Sequence, residues 1–313
     1  MSATQPVVTV TLNPAIDQTV TVPGFVPGRL HRAAECRFHA GGKGVNVASV
    51  LADLGVKVIA TGFLGKDNPD PFELLFADKG IDDQFLRIEG STRIGIKIVD
   101  SRTNVKTDIN LPGLAPRPEE VDALLERVAA LAAPERWMAL SGSVPPGIPH
   151  NVYATMIDAI HAKGGRAVLD TSGPALRTGL ASRPEVMKPN LDQLGELTGR
   201  VLSTPGTIRD AAESLLDRGV QLVAATMGAR GAVFVERGQA LVARPPQMRT
   251  RKTIGAGDAM VAAIVHARMQ GLPLEDLARA ATAAGAHAVT RTVMGMDPEE
   301  HRKLMGQVEI ESL

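Results

Sequence analysis

The chain runs to 313 residues, enough to bury a large core in one large domain or a large one plus an accessory piece, and its 34 Lys plus Arg balance 34 Asp plus Glu. That balance leaves no overall positive field to hold nucleic acid or an anionic membrane surface, so any anion site must be local. Cys36 is the only cysteine, which rules out an internal disulfide and suits a reducing compartment, so the cytoplasm is the expected location. No run approaches the roughly 18 apolar residues of a membrane span, and no basic stretch followed by an apolar one opens the sequence.

The first apolar, β-branched run, 7–12, reads as a buried strand. Asp17 follows it after Asn13-Pro14-Ala15-Ile16, where the carboxyl end of a parallel strand opens on a ligand crevice. A carboxylate there can hold two adjacent hydroxyls, and a turn Asp has the same pattern. Segment 19–37 is strand-like with turns. Next comes Gly41-Gly42-Lys43-Gly44-Val45-Asn46, opening a helical pattern over 45–54. The leading glycine and the Ser or Thr of a Walker A loop are missing. A Lys among glycines at a helix start still suits a sugar phosphate, with Asn46 near enough to read sugar hydroxyls; a solvent-facing Lys in a turn is the alternative.

A strand at 56–61 follows, and 92–110 again reads as strands joined by turns, with Ile94, Ile96 and Ile98 alternating with Gly95 and Lys97. Segments 19–37 and 92–110 can form a small separate sheet, a lid carrying the basic residues Arg29 and Arg93, although ordinary surface hairpins read alike. Beyond a Pro-rich loop at 112–118 comes a helix at 119–132. Ser141-Gly142-Ser143 lacks the flanking glycines of a nucleophile elbow and reads as a strand-end turn near a ligand, and a second Pro-rich loop follows at 145–149.

After a strand at 167–169, Lys188-Pro189-Asn190-Leu191-Asp192 follows the apolar Val186-Met187 pair; after a helix at 207–218 and a strand at 222–226, Thr226-Met227-Gly228-Ala229-Arg230-Gly231 makes a turn. At strand ends such glycines admit a nucleotide, and Asn190 with Asp192 can order water around magnesium; a Gly-containing hairpin explains the second segment equally. Alternating strands and helices predict an α/β protein with a mainly parallel sheet. The histidines show no zinc spacing, and no Gly-rich dinucleotide fingerprint follows the first strand.

The most informative stretch is Thr253-Ile254-Gly255-Ala256-Gly257-Asp258, ahead of helical patterns at 259–270 and 274–289. Its glycines let amides point at a phosphate where a helix presents its positive end. Asp258 then makes most sense as a base that takes a proton from an attacking hydroxyl, while a plain first-turn Asp at a Gly-rich helix start is the alternative.

Together these segments resemble the ribokinase-like carbohydrate kinases, the family of the minor phosphofructokinase, from Val7 to about Gly295. Gly41 to Ala48, with Gly55 and Gly65 downstream, is similar to the first family signature, and Thr253 to Asp258 to the second. Within the family the chain is most similar to bacterial 1-phosphofructokinases, through Thr11-Leu12-Asn13-Pro14-Ala15, Gly62-Phe63-Leu64-Gly65-Lys66-Asp67-Asn68, Thr92-Arg93 with Lys97, and Thr107-Asp108-Ile109-Asn110. The resemblance implies one kinase domain over 1–313: a three-layer α/β/α ribokinase-like fold, mainly parallel at its centre, with a β-sheet lid near 19–37 and 92–110 through which two chains can pair. It implies ATP with Mg2+ and a phosphosugar, fructose 1-phosphate becoming fructose 1,6-bisphosphate; tagatose 6-phosphate and fructose 6-phosphate are the alternatives.

By the same resemblance Asp258 is the catalytic base, and Gly255, Ala256 and Gly257 form the anion hole. Asp17, Gly41, Lys43 and Asn46 hold the sugar, Arg93 meets its phosphate, and Arg29 helps from the lid. Lys188, Asn190, Thr226, Gly228 and Gly231 line the nucleotide and magnesium site. Two departures stand out. Gln193 occupies the place where relatives usually carry Glu in Asn-x-x-Glu, which puts metal handling in question and raises a weakly active sugar-phosphate sensor as a further alternative. Lys252 stands where a small polar residue is common.

Overall fold

The computed structural model describes residues 5–103, 105–248, 255–291 and 294–313. Lys252, Thr253 and Ile254 of the glycine-rich segment lie outside the described residues. In chain order the elements begin β1 (Val7–Thr11), β2 (Ala15–Val22), β3 (Glu35–Gly41), α1 (Lys43–Asp53), β4 (Val58–Gly65), α2 (Asp70–Lys79), β5 (Asp82–Asp83), β6 (Leu86–Ile88), β7 (Ile94–Asp100) and β8 (Lys106–Asn110). They continue α3 (Pro118–Leu131), β9 (Trp137–Ser141), α4 (Val152–His161), β10 (Arg166–Asp170), α5 (Gly173–Ala181), β11 (Val186–Met187), α6 (Leu191–Thr198) and α7 (Pro205–Leu216). The last are β12 (Leu222–Thr226), β13 (Ala232–Glu236), β14 (Gln239–Arg244), α8 (Ala256–Met269), α9 (Leu274–Thr290), α10 (Pro298–Met305) and β15 (Glu309–Ser312).

The large sheet runs β15-β14-β13-β12-β11-β10-β9-β1-β4-β5, with β6 also on β4. Pairing is parallel from β12 through to β5 and β6, and antiparallel from β12 out to β15. Strand alternation sorts side chains to the two faces. Val168 and Leu222 join the core under α1, α2, α8, α9 and α10, whereas Leu169 and Val223 join the core under α3 to α7. Because its parallel strands are covered on both faces, the sheet has β-branched runs such as Val7–Thr11, every residue of which is buried.

A separate four-stranded sheet has the order β3-β2-β7-β8. Its strands differ in extent from the segments expected for a lid: β2 begins at Ala15 and β3 runs on to Gly41, so Asp17 and Gly41 both belong to this small sheet. Asp17 is therefore not a turn residue at the end of β1; it pairs with His39 on one side and Gly95 on the other. The loop beyond β2 is tied down by Asp100, whose carboxylate accepts from the Gly24 and Arg102 amides at 2.7 and 2.9 Å and from the Thr103 hydroxyl at 2.8 Å. Those donors hold its pKa down at about 2.

Helix α1 connects the small sheet to the body. Only one residue, Gly42, separates the end of β3 from its first turn, and the buried side of the helix, including Val47 and Leu51, packs into the core shared with α8. Leu51 is fully buried there. Leu51→Ala should lower unfolding free energy by about 3 kcal/mol through lost transfer energy plus a residual cavity. Urea titration reads this as a lower midpoint at unchanged slope.

Candidate active site

Two helix starts meet at the carboxyl ends of the central strands. Gly42 precedes α1 with φ 116° and Gly255 precedes α8 with φ 91°, in the left-handed region that a Cβ disfavours. Either glycine bends the chain abruptly into a helix. In α8 the first helical bond is donated by Ala259 to the Gly255 carbonyl at 2.9 Å, which leaves the amides of Ala256, Gly257 and Asp258 without a partner inside the helix. Such a turn can receive an anion.

Between the helix starts lies a compact set of charges. Asn46 Nδ2 donates to Asp258 Oδ2 at 2.7 Å, so the helix that starts at Lys43 holds the carboxylate of the other helix in place. Lys43 Nζ donates to Asp170 Oδ1 at 3.0 Å, and Lys188 Nζ lies 3.3 Å from the same oxygen. Asp170 closes β10, and Lys188 follows β11 directly. Lys188 is buried, and its ammonium lies 3.1 Å from where a Cβ on Gly257 would stand. Lys188 thus sits at the amide turn itself, not only along a nucleotide groove.

These neighbours divide the two buried acids. Burial raises the Asp170 carboxyl, but Lys188 and Lys43 outweigh it and the pKa is lowered, so Asp170 stays ionised. Burial and then the nearby Asp170 charge push Asp258 up to about 6, against the smaller pull of Lys43, Asn46 and Lys188. A base poised near neutrality results, with two ammoniums beside it for a phosphoryl group. Asp170 Oδ2 has no hydrogen-bond partner among the described residues, so the cluster still offers one buried acceptor.

On the small-sheet side, Lys97 Nζ donates to Asp17 Oδ1 at 3.0 Å, while Cβ atoms built on Gly41 and Gly95 would stand 3.0 and 2.9 Å from its carboxylate. Asp17 is thus wedged between bare backbone. The Arg93 guanidinium is anchored by Nε to the Pro14 carbonyl at 3.2 Å and by one terminal nitrogen to the Asn13 carbonyl at 3.3 Å, leaving its remaining nitrogen for a ligand. Burial lowers its pKa, partly offset by Asp17. Arg29 lies on the exposed loop after β2, and no hydrogen bond or ion pair among the described residues ties its side chain to the others.

The expected nucleotide residues gather at the ends of β11 and β12. Asn190 bridges to Thr226, and the Thr226 amide donates to the Pro189 carbonyl at 2.9 Å. Gly228 begins a tight turn that Gly231 closes by accepting from the Met227 amide at 2.8 Å. Asn190 caps α6: its side chain accepts from the Gln193 amide at 2.8 Å, and the Gln193 side chain accepts from the Asn190 amide at 2.9 Å. Gln193 therefore has a folding role that Glu would fill equally. Asp170 and Lys97 were not singled out as site residues from the sequence. Asp170 carries no local motif, and the sequence marks Lys97 only through the alternation of 94–98 and its place beside Thr92-Arg93 in the family resemblance, neither of which points to Asp17.

The sequence profile of the pfkB family of carbohydrate kinases matches residues 9–300. The chain is 45% identical over 295 residues to the 1-phosphofructokinase of Rhodobacter capsulatus, covering 94% of this chain and 93% of that one. It is 44% identical over 281 residues to the 1-phosphofructokinase of Xanthomonas campestris, covering 88% of each. Among solved structures, phosphofructokinase-2 from Escherichia coli in complex with substrates and products superposes with a TM-score of 0.92 at 28% identity, over 97% of this chain and 99% of that one.

The perturbed acid has a measurable cost to stability. With a folded pKa of about 6 against an ordinary 3.8, ionised Asp258 destabilises the fold wherever both states are ionised, above about pH 6; the penalty fades as pH falls through that window and is gone below 3.8. Asp258→Asn should therefore stabilise the protein by about 3 kcal/mol near pH 8, and the gain should fall below about 1 kcal/mol near pH 4. Unfolding midpoints across that range measure it.

Proposed function

The chain belongs to the pfkB family of carbohydrate kinases, and from that premise we propose that it transfers the γ-phosphoryl group of ATP to the C6 hydroxyl of fructose 1-phosphate. The observation that carries this reading is the buried Asp258, held by Asn46 and poised at about 6 beside helix-start amides that have no partner within the helix. Asp258 takes the hydroxyl proton as that oxygen bonds to phosphorus; the bond to the bridging oxygen breaks and ADP leaves, giving fructose 1,6-bisphosphate. The amides of Gly255, Ala256 and Gly257, with Lys188 and Lys43, face the charge on the transferring group, and catalysis of this kind is mostly positioning and electrostatics. The strong similarity to 1-phosphofructokinases over most of both chains favours fructose 1-phosphate over tagatose 6-phosphate or fructose 6-phosphate.

Asp17 and Asn46 bind sugar hydroxyls in this reading, with Gly41 leaving room beside Asp17, and the free nitrogen of Arg93 takes the phosphate already on the sugar. Asn190, Thr226, Gly228 and Gly231 line the nucleotide. The described residues hold no cluster of three or more metal-ligating side chains. That suits magnesium, which keeps several waters and binds mainly through the substrate's phosphates. The orphaned Asp170 oxygen, Asn190 and Asp192 are the acceptors that would hold its hydrated ion, which supplies charge neutralisation on the phosphates when bound. Arg29, on the exposed loop after β2, helps at the substrate phosphate in this reading, and a neighbouring chain can present it.

The small sheet also supports pairing of two chains. Phe38, Gln18, Ile96 and Ile109 lie in one cross-strand row, on the face opposite Asp17, and Phe38 and Ile109 are exposed. A row with three large apolar side chains around one amide is suited to a self-complementary interface. No helix among the described residues is long and apolar enough to cross a membrane.

ADP release with magnesium ATP should be strongest on fructose 1-phosphate, weak on fructose 6-phosphate and tagatose 6-phosphate, and lost in Asp258→Asn by about 10³-fold or more. Ligand-induced stabilisation with no turnover on any sugar would instead favour the sensor. Because the base must be unprotonated, kcat/KM should fall tenfold per pH unit below about 6. Light scattering should find a dimer that Phe38→Asp with Ile109→Asp converts to monomer; an unchanged mass would remove the small sheet from the interface.

A further inference from the structure

A single carboxylate at the far end of α1 links that helix to the amide turn of α8. Asp53 is the last residue of α1, and one of its oxygens accepts from the Lys79 ammonium at the end of α2 at 2.6 Å. The other accepts from the Met296 backbone amide at 2.7 Å. Gly295 lies against the same pair: a Cβ built on it would stand 3.0 Å from Asp53 Oδ2 and 3.6 Å from Lys79 Nζ. Both charged side chains are largely shielded from solvent, at 21% and 14% exposure, so the clamp is little screened.

Two residues before Met296, the Met294 thioether occupies the space into which a Cβ on Gly255 would project. It thus lies against the left-handed residue from which the amide turn begins. The segment is fixed on its other side as well, where the Asp297 amide reaches His287 Nε2 at 3.4 Å and the Asp297 side chain caps α10. His287 in turn faces Glu300, and Arg291 lies at the edge of the same group.

We propose that Asp53 is a positioning residue for phosphoryl transfer: by holding Met296 it seats Met294 on Gly255 and fixes the direction of the amides of Ala256 and Gly257. The proposal rests on the anion-hole role given to those amides. Asp53 lies at the opposite end of α1 from Lys43, so its loss should act on the transition state and leave ground-state sugar binding alone. A displacement of the order of 1 Å in such a group can cost about 10²-fold in rate.

The test compares Asp53→Ala, Asp53→Asn, Met294→Ala and Gly257→Ala in steady-state kinetics on fructose 1-phosphate, with thermal unfolding of each variant. Asp53→Ala should lower kcat by about 10- to 100-fold while KM for the sugar stays within about threefold. Asp53→Asn keeps an oxygen acceptor for the Met296 amide and should recover most of that loss, even though the ion pair with Lys79 is gone. Met294→Ala should lower kcat in the same way, and it carries the test if Asp53→Ala does not fold. Wild-type kcat in folded Asp53→Ala or Met294→Ala, or an equal loss in the Ala and Asn variants of Asp53, would overturn the role of Asp53 while leaving the anion hole standing. Unchanged kcat in Gly257→Ala, whose new methyl would meet Lys188, would remove the anion hole itself and the proposal with it.

Discussion

Everything at the centre of this molecule turns on Asp170, one buried carboxylate facing two ammoniums. Without it, the buried Lys188 and the half-exposed Lys43 would repel one another; with it, the start of α1 and the end of β11 are drawn to the end of β10. The same negative charge helps keep Asp258 from ionising too easily. Asp170 therefore does two things at once: it concentrates positive charge where a phosphoryl group would pass and raises the basicity of the neighbouring acid. A like-charged pair in which lysines keep one member ionised, while burial and that member's charge raise the other, is a direct way to give two aspartates different tasks.

The fold supplies the geometry for that cluster through two helix starts, and much of this is legible in the sequence. Gly41-Gly42-Lys43 and Gly255-Ala256-Gly257-Asp258 announce their helices locally, because positive φ and free amides are demands on neighbouring residues. The run of buried strands and amphipathic helices likewise betrays the layered α/β arrangement. Asp170 is silent by comparison, since it sits in an ordinary strand and acquires meaning only from Lys188 and from Lys43, the latter 127 positions away. Trp137–Ser141 escapes for a related reason: a short strand buried on both faces has no alternation to reveal it. α5 hides because Gly173, Pro174 and Gly179 look like loop residues although they open and fill a helix.

Gln193 shows how a residue can look like a lesion in a motif and fit its position in the fold. Its amide and the side chain of Asn190 satisfy each other's backbone donors, and either Glu or Gln closes such a box. Local stability therefore exerts little choice between them at this position. Whatever distinguishes a charged from a neutral residue here must be felt by the ligand, through the field at the nucleotide end of the cleft.

The junction between the two sheets has a consequence for the spacing of the site. The Asp17 carboxylate lies against Gly41 at the end of β3, Gly42 bends the chain, and Lys43 begins α1 beside Asp170. Three consecutive residues thus tie the acid assigned to the sugar to the charge cluster. The span between the two ends of the site is set by covalent geometry as well as by packing.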